Sequence, residues 1–285
     1  MTVPLPGGAG LWSGFLDRMS APDAVAAART IEAAGISTIW LQEFSGVDPF
    51  VRAALYLQAT TELTVALGVA TIHARDPEAM VAAATTLHEA FPGRFLLGLG
   101  TSHRQLAEAR GGRYERPLAA MRDYLTAMDA AVGRRKLPPR FLGALGPRMV
   151  ELAGSATDGL HTYFCPVSHT AAARAAVGPD TWIAPTLLVA LEGSWPDAAR
   201  EYLGFCLGMP NYRNNLRRFG FTRDELDSAD DRLLDALVVP DEPAALSARI
   251  DAHRAAGADH VVLQFIPPPR GQVVLDRVMT RPIAP

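Results

Sequence analysis

The chain has 285 residues, of which 49% are hydrophobic and 20% charged, so it can bury a large core as one barrel or as two smaller domains. Its net charge of −3 excludes a general attraction to nucleic acid or to an anionic membrane surface. No apolar run approaches the roughly 18 residues of a membrane span, and the first residues carry no basic segment with an apolar core, so we expect a cytoplasmic protein. The two cysteines, Cys165 and Cys206, lack metal-ligand spacing, and we expect both to be reduced.

Helical patterns alternate with apolar runs along the chain, beginning with the stretch AAGISTIWLQEF at 33–44. Ser20 and Asp23 make a capping-box-like start, apolar residues follow at helical spacing, and Gly35 predicts the helix end. The run that follows is apolar without alternation, which is typical of a parallel strand covered on both faces. We predict strands at about 10–14, 38–42, 63–71, 94–100, 140–145, 159–164, 181–190 and 261–265.

The same phrase returns as AAGADHVVLQFI at 255–266, where Gly257 closes a helix that Pro243 opens. Eight strands separated by helices favour a (β/α)8 barrel of the TIM type over a doubly wound sheet. The region at about 195–239 is too long for one crossover helix, so we predict a helical insertion there. We expect residues 1–285 to form a single domain, because no linker or low-complexity run divides the chain.

Titratable side chains follow several of the predicted strands, at the end where such barrels carry their active sites. Glu43, His73, His103 and His161 stand at four strand ends, and each can transfer a proton or bind a metal. Taken alone, each histidine is more often a loop residue with one hydrogen bond, and Glu43 could cap a helix or pair with an arginine. Their shared position at one rim favours a functional site, with the choice between proton transfer and metal binding left open.

Two turns between strand and helix could bind an anion. Ala144, Leu145 and Gly146 form a turn of small residues that opens a helix, and Ser168 begins the next helix, so free backbone amides would face a phosphate. Plain helix capping is the alternative for each turn. The Gly98-Leu99-Gly100 sequence lacks the third glycine of a dinucleotide fingerprint, so it is only a weak phosphate motif, and close backbone packing is its alternative role.

Long stretches of the chain resemble one known family. The stretch LGVATIHARDPEAMVAAATTLHEAFPGRFLLGLGTSH resembles the region of strands three and four in bacterial luciferase-like monooxygenases, especially their coenzyme F-420-dependent (deazaflavin) oxidoreductase branch. FLGALGPRMVELAGSATDGLHTYFCPVSHT is similar to that branch's cofactor-phosphate region. NYRNNLRRFGF and AGADHVVLQF are also similar, so the resemblance covers nearly the whole chain.

The resemblance implies a (β/α)8 barrel with a deazaflavin or flavin ring in its mouth, a small-molecule substrate and a homodimer. It implies a cis peptide bond in strand three at about Ala70-Thr71. It also implies that Glu43 and His73 contact the cofactor and that proton transfer falls to Glu43, His73 or His103. The cofactor-binding residues that it implies are Ala70, Thr71, Gly100, Thr101, Ser102, Ala144, Leu145, Gly146, Tyr163 and Ser168.

The sequence departs from the sugar-phosphate dehydrogenases of that branch. Phe44 stands where they carry a catalytic histidine, His103 replaces an acid, and a phosphate-binding lysine has no counterpart. With Trp12 and Trp40 near the predicted rim, or equally in the core, the pocket is expected to be more apolar. We therefore expect an F-420-dependent hydride transfer to or from a small organic substrate. The alternatives are an FMN-dependent monooxygenase, a metal-dependent hydrolase using His73, His103, His161 and Glu43, and a barrel that binds cofactor without turnover.

Overall fold

The computed structural model describes residues 8–44, 46–191, 195–267 and 271–280. The strands are β1 (Ala9–Trp12), β2 (Thr38–Leu41), β3 (Thr64–Leu67), β4 (Ala70–Thr71), β5 (Phe95–Gly100), β6 (Arg140–Gly143), β7 (Gly159–Thr162), β8 (Trp182–Ala190), β9 (Val238–Pro240) and β10 (Val261–Ile266). The helices are α1 (Ala21–Ala33), α2 (Pro49–Ala59), α3 (Pro77–Ala90), α4 (Arg104–Ala109), α5 (Pro117–Ala131), α6 (Pro147–Ala156), α7 (Val167–Val177), α8 (Asp197–Leu207), α9 (Pro210–Arg218), α10 (Arg223–Ser228), α11 (Asp231–Leu237), α12 (Pro243–Ala255) and α13 (Gly271–Thr280).

All neighbouring strands run parallel, and the sheet closes because β10 pairs with both β1 and β8. β3 and β4 together form the third strand of the barrel, and each pairs with β5. β9 lies outside the closed ring, on the edge of β8. The predicted (β/α)8 barrel is therefore confirmed, and the helical insertion predicted at about 195–239 is present as α8 to α11.

Local sequence accounts for the helix ends. The Ser20 hydroxyl accepts a hydrogen bond from the Asp23 amide, while Asp48 and Asp76 cap α2 and α3, each before a proline that suits the first turn. Gly35 and Gly257 follow α1 and α12 with φ of +82° and +99°, a conformation that favours glycine. Both copies of the Ala-Ala-Gly phrase are thus helix ends that lead into β2 and β10.

The core has one layer inside the barrel and another between the barrel and its helices. Trp12, Trp40, Phe141 and Val262 fill the interior, while Leu and Ile residues on the outer strand faces pack against α1 to α3, α5 to α7, α12 and α13. The helices α8 to α11 form a separate apolar cluster over the ends of β8 and β10. That cluster places the inserted helices beside the carboxyl ends of the strands. Among the helices described, none is long and apolar enough to cross a membrane.

The third strand differs from its prediction in one respect. A non-proline cis peptide bond lies between Gly68 and Val69, where the chain passes from β3 to β4. The prediction of this bond at Ala70-Thr71 was wrong by two residues. The family resemblance indicated that the bond exists, but not which pair of small residues holds it.

Candidate active site

A pocket of about 820 Å³ lies at the carboxyl ends of the barrel strands. Its walls come from the residues that follow β1, β2, β5, β6, β7 and β10, and its outer side comes from α8 and α9. This volume lies within the range of about 300–1,000 Å³ that cofactor and small-molecule sites occupy. The inserted helices therefore complete a pocket that the barrel begins.

Most of the residues predicted from the sequence line this pocket. They are Glu43, Thr71, Gly100, Thr101, Ser102, His103, Ala144, Leu145 and Tyr163. Four predicted residues do not line it: Ala70, His73, Gly146 and Ser168. Ala70 is fully buried in β4, whereas Ser168 is exposed at the start of α7.

The back wall of the pocket is the chain segment around Val69. The Val69 side chain rests against Gly100 and Gly143 on the neighbouring strands, and a Cβ on Gly100 would lie only 2.3 Å from Val69 Cγ2. A Cβ on Gly98 would lie 1.7 Å from the Leu67 carbonyl oxygen. Such an approach requires glycine, so the Gly98-Leu99-Gly100 sequence serves close packing rather than phosphate binding.

Glu43 is held by a network within the protein. Its Oε2 accepts a hydrogen bond from the Thr71 amide at 2.8 Å, and its Oε1 accepts one from Arg75 at 2.7 Å. Arg75 also bonds to Asp48 at 2.5 Å, while Arg110 approaches Glu43 within 3.8 Å. The Glu43 side chain is only 4% exposed. This arrangement holds the carboxylate in place and engages both of its oxygens.

Asp17 lines the same side of the pocket and was not predicted. Gln42 donates from Nε2 to the Asp17 carboxylate at 3.0 Å and accepts from the Trp12 indole at 3.3 Å. Burial raises the pKa of Asp17, against the hydrogen bond from Gln42 and the positive charge of Arg52. The sequence offered only a weak signal, since Asp17 lies five residues beyond β1 rather than directly after it.

Two of the predicted histidines, His103 and His161, line the pocket, and His103 lies beside α9. Its Nδ1 lies 3.0 Å from the Asn211 side-chain oxygen, and its ring meets the edge of Tyr212 at 5.0 Å. Because an amide oxygen only accepts hydrogen bonds, Nδ1 carries the proton and Nε2 of the neutral ring is left as the basic atom. Burial lowers the pKa of His103, opposed by the bond to Asn211. The ring is therefore suited to accept a proton near neutral pH.

His73 is not among the residues that line the pocket. Its amide bonds to the Thr71 hydroxyl at 3.3 Å, and its ring stands 6.3 Å from the Tyr114 ring beside the loop that includes Gly112. Burial lowers the pKa of His73. The side chain thus packs under the loop between α4 and α5, outside the lining of the pocket.

Tyrosines and a glutamine form another part of the pocket wall. The hydroxyls of Tyr163 and Tyr202 share a hydrogen bond of 2.6 Å, and Gln264 donates to the Tyr202 hydroxyl at 2.6 Å. Burial raises the pKa of Tyr163 well above its ordinary value, so its hydroxyl stays protonated. The Gln264 Oε1 atom is buried and has no hydrogen-bond partner among the residues described. This wall retains the capacity to bind a ligand through hydrogen bonds.

At the floor of the pocket, His161 lies between aromatic rings inside the barrel. It stacks on Trp40 at 4.8 Å and on Trp12 at 5.5 Å, and its Nδ1 bonds to the Ala184 carbonyl at 2.9 Å. Burial lowers the pKa of His161 to about 4, so the ring is neutral. Trp12 also reaches the pocket, whereas Trp40 is a fully buried core residue.

The four residues of the proposed metal set are not assembled. His161 lies in the interior, Glu43 binds Arg75, and His73 packs under a loop. In the ranges that the structure covers, no three His, Cys, Asp or Glu side chains converge as metal ligands do. The geometry gives no support to the metal-dependent hydrolase.

The two turns predicted to bind an anion open neighbouring helices, since α6 and α7 pack against each other. Gly146 caps α6 and Pro166 caps α7, and neither helix has a side-chain hydrogen bond at its first turn. The Arg218 guanidinium, from the end of α9, lies within 3.7 Å of the position that a Cβ on Gly146 would occupy. His169 links the two turns through a bond of 2.9 Å from its Nε2 to the Leu145 carbonyl.

The sequence did not assign Arg218, although it lies in the NYRNNLRRFGF stretch that we singled out as an insertion. Its position beside Gly146 depends on how α9 folds back over the barrel, which local patterns do not encode. Asn211 and Tyr212, from the same stretch, reach the pocket beside His103 for the same reason.

A parallel (β/α)8 barrel with a cofactor-sized pocket at its carboxyl face defines a class of barrel enzymes. Residues 6–259 match the family model described as luciferase-like monooxygenase. The chain therefore belongs to the luciferase-like monooxygenase family.

One named relative matches about half of the chain. A Mycobacterium tuberculosis protein named as a coenzyme F-420-dependent oxidoreductase is 33% identical over 140 residues, which are 48% of this chain and 39% of that protein. The matched part thus spans less than half the length of this relative.

Two solved structures share the fold. The coenzyme F-420-dependent tetrahydromethanopterin reductase of Methanopyrus kandleri has a TM-score of 0.77 at 15% identity, covering 97% of this chain and 98% of the other. The oxygenating component of a 3,6-diketocamphane monooxygenase of Pseudomonas putida, in complex with FMN, has a TM-score of 0.68 at 14% identity, covering 99% and 98%.

Proposed function

We propose that this protein is a coenzyme F-420-dependent oxidoreductase that transfers a hydride between the deazaflavin and a small organic substrate. One observation supports the proposal most strongly. A single pocket, large enough to hold a ring, includes Val69 against its neighbouring glycines and the ends of β6 and β7. These two strands lead into the N-termini of α6 and α7, beside Arg218. The family and the relative named for F-420 add support.

The residues fit the parts of such a cofactor. A planar ring would lie against Val69, whose position the glycines of β5 and β6 maintain. A phosphate would meet the uncapped first turns of α6 and α7, where the helix dipoles and Arg218 favour an anion. Gly146 and Ser168 would contribute backbone amides, which explains why both can matter without lining the main pocket.

When bound, the deazaflavin supplies the hydride chemistry, and the protein supplies orientation and proton transfer. Of the three predicted candidates, His103 is the one whose Nε2 is left as a base in the pocket. Glu43 has both oxygens engaged and would fix the position of the Thr71 amide. We therefore assign proton transfer to His103 and positioning to Glu43, with Asp17 as a second titratable group facing the substrate.

The lining favours a substrate with apolar surface. Phe44 and Phe205 line the pocket while remaining 47% and 61% exposed, and Leu106 and Met209 add apolar area. Since Phe44 replaces the histidine of the sugar-phosphate dehydrogenases, a sugar phosphate is disfavoured. An alcohol, carbonyl or imine on an apolar skeleton fits this pocket.

A second candidate is an FMN-dependent monooxygenase, favoured by the FMN complex of the structural relative. Fluorescence titration of the purified protein with F-420 and with FMN separates the two. The proposal predicts a lower dissociation constant for F-420 than for FMN. Tighter FMN binding would move the function to the monooxygenase, and no binding of F-420 at tens of micromolar would refute the proposal.

We also propose a homodimer and a single domain over residues 1–285. Val51 and Leu55 lie one turn apart on α2 and are 59% and 39% exposed, so they form a candidate contact between two copies. Light scattering after gel filtration would detect a mass near 61 kDa for the dimer, twice the 30.5 kDa of the chain. The cytoplasmic location stays a prediction from the sequence.

A further inference from the structure

Three side chains of the pocket wall form one chain of hydrogen bonds. Gln264 donates from Nε2 to the Tyr202 hydroxyl at 2.6 Å, and the hydroxyl oxygens of Tyr202 and Tyr163 lie 2.6 Å apart. Gln264 belongs to β10, Tyr202 to α8, and Tyr163 follows β7 directly. All three line the pocket, so the chain of bonds links the barrel to an inserted helix at the pocket surface.

The two tyrosine hydroxyls together hold one proton more than this chain of bonds uses. A neutral phenol hydroxyl donates one proton and also accepts hydrogen bonds. Burial raises the pKa of both tyrosines, so both keep their protons near neutral pH. The contact between Tyr163 and Tyr202 uses one of these protons, and the bond from Gln264 uses an amide proton. One hydroxyl proton is therefore left to donate to a third group.

The bond from Gln264 determines which hydroxyl keeps that proton. A hydroxyl oxygen that accepts a hydrogen bond becomes a stronger donor, because bonds in a chain polarise one another. Burial raises the pKa of Tyr202, but its contacts with Tyr163 and Gln264 oppose the rise. For Tyr163, burial and its neighbours all raise the pKa. Tyr202 is thus the better donor of the two and donates to Tyr163, whose own proton is left over.

The surroundings of Tyr163 fix its ring and offer its hydroxyl only a weak acceptor. The ring centre lies 5.3 Å from that of Trp12 and 5.7 Å from that of Tyr212. Cys206, one turn beyond Tyr202 on α8, also lines the pocket, and burial raises the pKa of its thiol while the two hydroxyls lower it. Because a thiol sulfur accepts hydrogen bonds weakly, a ligand oxygen would replace it as the partner of Tyr163.

Ring contacts connect Tyr163 both to the back wall of the pocket and to His103. Trp12, which contacts Tyr163, lies 3.0 Å from the position of a Cβ on Gly68, the residue that begins the back wall. Tyr212, the other neighbour of Tyr163, meets the His103 ring at 5.0 Å. The spare hydroxyl proton and the basic Nε2 of His103 therefore belong to one cluster of rings beside the proposed ring site.

We propose that the Tyr163 hydroxyl donates a hydrogen bond to the reacting oxygen of the substrate, a role that rests on the proposed function. In the oxidising direction the substrate is an alcohol. Its hydroxyl proton passes to Nε2 of His103, its carbon gives up a hydride to the deazaflavin, and its C–O bond becomes C=O. Tyr163 keeps its proton throughout and stabilises the negative charge that develops on the oxygen.

This role narrows the reacting group to an alcohol or a carbonyl. The oxygen of either group has a lone pair that accepts the bond from Tyr163. The nitrogen of a protonated imine has none, so it would leave this buried donor without a partner, which costs binding free energy. Tyr202 and Gln264 act through Tyr163 and are positioning residues.

The test compares two ligands of nearly the same shape, acetophenone and α-methylstyrene, of which the second has a methylene group in place of the carbonyl oxygen. Calorimetry on the full-length protein, with and without F-420, would give their dissociation constants for the wild type, Tyr163→Phe, Tyr202→Phe and Tyr114→Phe. Tyr114 lies outside the lining of the pocket, so its variant is the control for loss of a phenol hydroxyl. The infrared stretch of the bound acetophenone carbonyl reports the hydrogen bond itself, because accepting a bond lowers its frequency.

We expect the wild type and Tyr114→Phe to bind acetophenone about tenfold more tightly than α-methylstyrene, the effect of one hydrogen bond. Tyr163→Phe should reduce this preference to less than about twofold and return the carbonyl stretch to higher frequency. Tyr202→Phe should keep a preference of about fivefold, because Tyr163 retains its proton and loses only the support of its neighbour.

Equal affinity of the wild type for the two ligands, or a preference that survives in Tyr163→Phe, would overturn the inference. A preference lost only in Tyr202→Phe would also overturn it, because the donor would then be Tyr202. Failure of F-420 to bind would refute the proposed function and with it the catalytic role of Tyr163. Binding of F-420 without any preference for acetophenone would refute the inference alone.

Discussion

Gln42 and Gln264 hold the same place in the repeated phrase and belong to the two strands that flank β1, yet their side chains differ in what they bind. Gln42 directly follows β2, whereas Gln264 lies within β10. Gln42 uses both ends within the protein, accepting from Trp12 and donating to Asp17. Gln264 donates to Tyr202, but its buried oxygen has no partner among the residues described. We call the part of the pocket around Gln42 the completed side, because both ends of this side chain are bound within the protein. The part around Gln264 keeps an oxygen available for a ligand.

The residues that follow the two glutamines, Glu43 and Phe265, also differ in their contacts. Glu43 binds the Thr71 amide and Arg75, so it joins the end of β2 to β4 and to the chain that follows β4. Phe265 instead packs under the Arg277 guanidinium, 5.6 Å from its ring centre. The acid that breaks the repeated phrase therefore stabilises the completed side of the pocket rather than adding a free catalytic group.

The strongest test of the completed side is Glu43→Ala. It leaves Arg75 short of a buried partner, which costs about 3–5 kcal/mol when a buried ion pair is broken. Urea denaturation should show a fall of that order in the free energy of unfolding. Glu108→Ala removes an exposed pair with Arg104 and should cost less than about 0.5 kcal/mol. Equal effects of the two variants would show that Glu43 is not a structural anchor.

The pH dependence of the free energy of unfolding tests the environment of His161, which lies at the floor of the pocket. Its pKa is about 4 in the folded protein, below the ordinary value of 6.5. The unfolded chain therefore takes up a proton that the native state does not, and stability present above pH 6.5 is lost as the pH falls towards 4. The loss from this residue approaches about 3 kcal/mol. His161→Asn should flatten the slope in this range, and an unchanged slope would contradict the assignment.

On the completed side, Gln42→Leu removes the partners of Trp12 and Asp17 together. An unsatisfied buried polar group costs about 1–3 kcal/mol, so we expect about 2 kcal/mol of destabilisation. Affinity for F-420 should change by less than about threefold, measured in the same fluorescence titration. A large loss of affinity without a loss of stability would show that Gln42 contacts the cofactor.

On the other side, Gln264→Leu should have the opposite signature. Because the Gln264 oxygen has no partner among the residues described, we expect it to accept a hydrogen bond from the ligand, and its loss to lower the affinity for F-420 by about tenfold. Destabilisation should stay near 1 kcal/mol, because Tyr202 keeps its bond to Tyr163. If the two glutamine variants behave alike, the contrast between the two sides is wrong.

Local sequence patterns predicted the barrel well, because a helix that ends at glycine and a strand without polar alternation are encoded within a dozen residues. Gly35 and Gly257 behave as predicted, and strand ends correctly located Glu43 and His103 at the pocket. What the sequence did not reveal depends on distant contacts. Arg75 lies 32 residues from Glu43, and Arg218 approaches Gly146 only because the inserted helices fold back over α6 and α7.

The central claim, a cofactor phosphate at the start of α6, is tested most directly by titrating Gly146→Asp and Gly146→Ala with F-420. Gly146 has φ of −80°, and a Cβ there meets nothing closer than 3.7 Å, so both variants should fold. Aspartate is also a favourable N-cap, so lost binding in that variant would reflect charge rather than unfolding. We predict that Gly146→Ala binds within about threefold of the wild type and that Gly146→Asp loses more than about a hundredfold. Unchanged affinity in Gly146→Asp would contradict the placement of the phosphate.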